Sequence, residues 1–91
     1  MPGFELFDNE EMSGVNDVLE TGIFMRYGFD GPRKGIWKSK ELEAAICNTF
    51  GSKYAQLVSS GTAALTTAMA ALGIGYGDEI ILPSCNFLAS F

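Results

Sequence analysis

Ser59-Ser60-Gly61-Thr62 is the stretch of this sequence best suited to hold an anion. It stands where a short apolar segment, Tyr54 to Val58, gives way to the alanine-rich run that begins at Thr62. The first turn of a helix has backbone N–H groups without partners. The aligned peptide dipoles add roughly half a positive charge at that end. Gly61 lets a phosphate come close to the backbone, and Ser60 and Thr62 can add hydroxyl donors. Local physics leaves a second reading open, an ordinary helix cap in a tight strand-to-helix turn. The stretch is not a Walker loop, because no Gly-Lys-Ser/Thr follows, and it is not a Gly-x-Gly-x-x-Gly fingerprint. Gly73, Gly75 and Gly77 come after the helix and read as turn residues.

Other chemistry-bearing residues are weaker candidates. Asp78 and Glu79 are adjacent in a turn entering an apolar segment, the setting of solvated carboxylates rather than of an acid–base pair. A reactive lysine needs burial or a cationic neighbour, and nothing around Lys34, Lys38, Lys40 or Lys53 supplies either. Cys47 and Cys85 read as small apolar residues, since the chain has no histidine to act as their base. Two cysteines and no histidine also argue against a His/Cys metal site. The pair could form one disulfide, but cysteines this far apart without a secretion signal more often are free thiols of a reducing compartment.

The elements that must position the anion site follow from periodicity and punctuation. Asp8 with Glu11 reads as a capping box opening a helix to about Glu20, with Met12, Val15, Val18 and Leu19 on one face and Gly22 as the stop. Residues 23–37 read as a loop carrying Phe24, Tyr27, Phe29 and Trp37, aromatics that either plug a core or line a site. Ser39 is expected to cap a second helix to about Phe50, with Leu42, Ile46 and Phe50 as its stripe and Gly51 as its end. A strand at Tyr54–Val58, a helix from Thr62 to about Leu72 and a strand at Ile80–Leu82 complete a βαβ unit with parallel strands. The carboxyl ends of both strands then lie on one sheet edge, where open α/β folds bind ligands. That places Ser60-Gly61-Thr62 and Phe87 in one region.

Composition bounds the rest. The 91 residues are 47% hydrophobic and 19% charged, so a folded α/β domain is expected rather than disorder. Six basic against eleven acidic residues give a net charge of −5, which argues against nucleic acid as a partner. No signal peptide or bilayer-length apolar run is present, so a cytoplasmic protein without membrane contact is expected. The chain stops just after an apolar, strand-like segment, and a piece of something longer is expected.

The ordered set Ser59 to Leu65, then Ala71 to Ser84, then Phe87-Leu88-Ala89-Ser90 resembles the pyridoxal-phosphate-dependent sugar aminotransferases known as the DegT/DnrJ/EryC1/StrS family. The resemblance implies a fold-type-I transferase, several times longer and homodimeric. Its reaction moves an amino group, usually from glutamate, to a keto or aldehyde sugar for lipopolysaccharide or other polysaccharide synthesis. It implies that residues 1–38 are an N-terminal helix and aromatic loop, and that 39–91 begin the large α/β domain. In the family's pattern Ser60, Gly61 and Thr62 hold the cofactor phosphate and Phe87 stacks on its ring. Asn86 stands where the family commonly has Thr, and Cys85 where Phe or Met is frequent. The Schiff-base lysine, the Asp that pairs with the pyridine nitrogen and a second phosphate anchor lie downstream. No catalytic residue is therefore expected within this chain, nor activity or stability from it alone. In fold type I later strands also lie between the two strands seen here.

The segments Pro2 to Phe7, Arg26-Tyr27, Phe29-Asp30 and Trp37-Lys38 are further similar to the subgroup that aminates an 8-oxo octulosonate, the 8-amino-3,8-dideoxy-manno-octulosonate transaminases. That likeness implies Arg26 and Tyr27 as substrate contacts, Arg26 pairing with a carboxylate. The alternative from a different class is a non-catalytic small α/β module that binds an anion or a partner.

Overall fold

The computed structural model describes residues 3–90, so Pro2 and Phe91, which the family comparison and the chain-end argument use, lie outside the described residues. The chain divides into two compact units, Met1–Ala55 and Gln56–Phe91.

The first unit is helical. A 3-10 turn at Phe4–Leu6 precedes α1, Asn9–Thr21. The capping box forms as expected: the Asp8 carboxylate accepts the Glu10 N–H at 2.8 Å, and Glu11 accepts the Asp8 N–H at 2.9 Å. Gly22 ends α1 with φ +66°, where a side chain would be strained, and donates its N–H to Leu19. The loop at 23–37 contains a four-residue helix not anticipated from its glycines, α2, Asp30–Arg33. The last helix of the unit, α3, is Lys38–Phe50. Its N-cap is Trp37, without a side-chain cap bond, so Ser39 lies inside the first turn instead of capping it. Gly51 closes α3 in the left-handed region, as expected.

The second unit is built on α4, Gly61–Ala71. Its C-terminal end is a Schellman motif: Gly73 N–H bonds the Ala70 carbonyl at 3.1 Å, and Ile74 N–H bonds that of Met69 at 2.9 Å. Gly73 takes φ +74° to make this reversal. A 3-10 turn at Leu88–Ser90 packs against α4.

The βαβ unit expected over Tyr54–Leu82 is not formed. Among the described residues there is no strand, and no backbone hydrogen bond joins 54–58 to 80–82. A strand exists only through the ladder it shares with a neighbour, and these two segments do not offer each other one. Ile81 accordingly stands 100% exposed.

Among the described residues no apolar side chain is buried; the two buried residues are Arg33, 4% exposed, and Glu43, 8%. The predicted apolar face of α1 is present but uncovered, with Met12, Val15 and Leu19 all exposed. Phe7, Val15, Val18, Leu19 and Phe24 line an apolar groove along it. Uncovered apolar area of this kind drives association. Residues 1–91 produced alone should therefore bind a hydrophobic dye and self-associate in size-exclusion chromatography. A dye-silent, monodisperse monomer would contradict this.

Candidate functional site

The sequence places α4 where its first-turn amides can meet a ligand. Ser60 is in extended backbone, φ −163° and ψ 164°, and caps the helix by accepting the Ala63 N–H on Oγ at 3.1 Å. Its carbonyl takes the Ala64 N–H at 3.0 Å. The N–H groups of Gly61 and Thr62 have no acceptor among the described residues. Since Ser60 Oγ accepts in the cap, its own hydrogen remains to donate outward. A Cβ built on Gly61 would meet nothing within 4 Å, so the approach to this backbone is open.

Phe87 lies on the same concavity. Ser60, Gly61, Thr62, Leu65, Asn86 and Phe87 all line it, with an opening of about 870 Å³, inside the roughly 300–1,000 Å³ range of small-molecule sites. Local bonds fix the aromatic: Asn86 Oδ1 accepts the Phe87 N–H at 2.8 Å, and the Phe87 carbonyl accepts the Ser90 N–H at 2.9 Å. Phe87 is 78% exposed, so its ring is largely uncovered.

A phosphate ester carrying a flat ring fits these residues. Two backbone donors and two hydroxyls suit an anion, and an exposed phenyl suits a ring face. No lysine lines the concavity. All four lysines, at 34, 38, 40 and 53, belong to the other unit. Lys38 bridges Asp17 at 3.4 Å and Glu41 at 3.6 Å, and Lys40 lies over the Trp37 ring at 3.4 Å.

The chain belongs to the DegT/DnrJ/EryC1/StrS aminotransferase family. The family's model matches residues 6–91, which takes in both compact units. Members of that family are aminotransferases that depend on pyridoxal phosphate.

The remaining candidates lie elsewhere. Arg26 and Tyr27 are in the first unit: Arg26 pairs with Glu43, and Tyr27 is 75% exposed. Of the loop aromatics, Trp37 is half-buried and donates its indole N–H to the Arg26 carbonyl at 2.8 Å, while Phe24, Tyr27 and Phe29 are exposed. Asp78 closes a turn, accepting the Gly75 N–H at 2.8 Å, which suits the solvated-turn reading. Cys47 and Cys85 are both free thiols. No helix among the described residues is long and apolar enough to cross a membrane.

Arg33 and Glu43 form the interior of the first unit. Glu43 carries no signal in the sequence, and Arg33, which with Lys34, Lys38 and Lys40 reads there as a loose cluster on a solvated loop, is instead buried. Glu43 sits on the inward stripe of α3 with Ser39, Ile46 and Cys47, a face rotated slightly from the Leu42–Ile46–Phe50 stripe. An apolar template skips an acid at that position.

The cap is testable apart from any ligand. Ser60→Ala should lower stability by about 0.5–2 kcal/mol through the lost Oγ bond to Ala63, read by denaturant unfolding of the full chain. No measurable change would mean that the cap bond contributes nothing.

Proposed function

We propose that the Ser60–Phe87 concavity holds pyridoxal phosphate in a sugar aminotransferase. Such an enzyme passes an amino group from an amino acid, glutamate in our reading, to a keto or aldehyde sugar. The observation that carries the reading is that an open helix N-terminus and an exposed phenyl ring line the same concavity. The amides of Gly61 and Thr62 and the hydroxyls of Ser60 and Thr62 would bind the phosphate. Phe87 would lie against one face of the ring and exclude water from it. When bound, the cofactor supplies an electron-withdrawing ring that stabilises negative charge at the reacting carbon. This chain's contribution is to bind and orient. The lysine that the chemistry needs is supplied, in this reading, from outside residues 1–91, and these residues alone are inactive.

The finer parts of the proposal concern fold and substrate. The chain forms the beginning of a fold-type-I large domain in a cytoplasmic homodimer. Loop 23–37, with Arg26 and Tyr27, is the acceptor-side element. The acceptor is a sugar of lipopolysaccharide or other polysaccharide synthesis, an octulosonate being the most specific form. The loop residues Arg26-Tyr27, Phe29-Asp30 and Trp37-Lys38 support that form.

Titration of the full enzyme with pyridoxal phosphate, followed by absorbance, tests the site. Thr62→Ala should weaken binding by about 1–3 kcal/mol, or about 5- to 150-fold, through loss of a hydroxyl bond to a charged phosphate. Unchanged affinity would remove Thr62 from the site. Phe87→Ala should weaken pyridoxal phosphate by about 0.5–1.5 kcal/mol and leave inorganic phosphate unaffected. Equal binding of both ligands, with Phe87→Ala altering neither, would mark a plain anion-binding module instead.

A further inference from the structure

Loop 23–37 is tied to α3 by charged groups rather than by apolar packing. Arg26 Nη2 donates to both carboxylate oxygens of Glu43, at 2.7 and 2.6 Å. The carbonyl of the same arginine accepts the Trp37 indole N–H at 2.8 Å. Arg33 Nε donates to the Gly28 carbonyl at 2.8 Å, and its Nη2 donates to that of Met25. Two cations lie over the Trp37 ring, the Arg33 guanidinium at 4.4 Å and the Lys40 ammonium at 3.4 Å from its centre. Three successive parts of the loop backbone, at Met25, Arg26 and Gly28, are thus held by side-chain donors.

We propose that Arg26 and Glu43 are positioning residues, a latch that fixes the aromatic loop on α3 and so sets where Tyr27 stands. Arg26 Nη2 is committed to Glu43 rather than to a substrate anion. Burial decides between these roles. The Glu43 side chain is only 11% exposed. Moving the guanidinium to a ligand would leave that carboxylate charged and desolvated, at a penalty of about two to three powers of ten in an equilibrium constant. A substrate carboxylate would have to overcome that penalty before gaining anything. The exposed Tyr27, adjacent in the chain, carries no such commitment. The consequence for substrate rests on the loop being the acceptor-side element; the latch itself rests only on the geometry above.

Amide hydrogen exchange over residues 23–37 of the full chain, with acceptor kinetics alongside, tests this. Glu43→Gln and Arg26→Lys should each speed exchange of the segment by about tenfold or more. Neither a neutral amide nor a point-charge ammonium reproduces the paired contact. The double variant should be no worse than either single one, because both break one interaction. The acceptor KM should rise alike in all three, with pyridoxal phosphate affinity unchanged. Trp37→Phe, which removes the indole N–H, should speed the same exchange to a lesser degree, a reading that survives if Glu43→Gln does not fold. A raised KM in Arg26→Lys, with KM and exchange normal in Glu43→Gln, would make Arg26 a substrate ligand and overturn the latch. Unchanged exchange in every variant would overturn it as well. Exchange is independent of transamination, so failure of the aminotransferase reading would appear in the kinetics alone.

Discussion

A helix cannot bond its own first-turn amides, and the second unit is arranged around that constraint at α4. Ser60 resolves part of it by taking the Ala63 and Ala64 N–H groups on its hydroxyl and carbonyl. The two amides before them, Gly61 and Thr62, are left facing outward. An acidic chain has few other places to receive a phosphate, because its basic residues belong to the first unit. Field and donors at the helix start therefore act where side-chain charge is missing. The absence of a Cβ at Gly61 keeps the approach open. The exposed Phe87 lines the same concavity, and a phenyl face there suits a ligand with a ring.

The first unit solves a different problem, that of holding a glycine-rich loop without an apolar interior. Its buried residues are an arginine and a glutamate, and the bonds they make are charge-assisted or reach backbone carbonyls. Such groups specify geometry more sharply than methyl groups do, because a misplaced partner leaves a desolvated charge. The loop can then leave Phe24, Tyr27 and Phe29 exposed while Trp37 alone turns inward. Of the two roles open to them in the sequence, only Trp37 approaches the packing one.

Helix ends were the most legible part of the sequence, because capping is local chemistry. Asp8 with Glu11, Gly22, Gly51 and Ser60 all act where their types predict. Ser39 did not, since Trp37, two positions earlier, is the N-cap of α3, and its indole is engaged with the loop. The strands were illegible for a reason of the same kind. Apolar β-branched runs mark a wish to pair, whereas pairing needs a partner that no local pattern names. The Arg26–Glu43 contact spans 17 positions between a loop and a helix, and neither end carries a motif. The juxtaposition of Ser60–Thr62 with Phe87 was expected from parallel strand ends, yet it occurs here without the sheet.

That last point changes what must hold the concavity in shape. With no ladder among the described residues, the link between helix start and aromatic depends on α4, the Schellman reversal at Gly73 and the turn at Leu88–Ser90 packed on the helix. Each bond of this kind contributes only about 0.5–1.5 kcal/mol. Met69 and Ile74, at the two ends of the Schellman bond, line a small apolar hollow with Leu65, Ile80 and Leu82. Apolar side chains from both sides of α4's reversal therefore meet there, although none is buried. A strand added beside 80–82 would satisfy the backbone next to that hollow. The donors at Gly61 and Thr62 would keep their direction, because the cap at Ser60 sets it and not the sheet. The open helix start is thus a property of the turn itself, and a sheet would add stiffness to a geometry that the cap already defines.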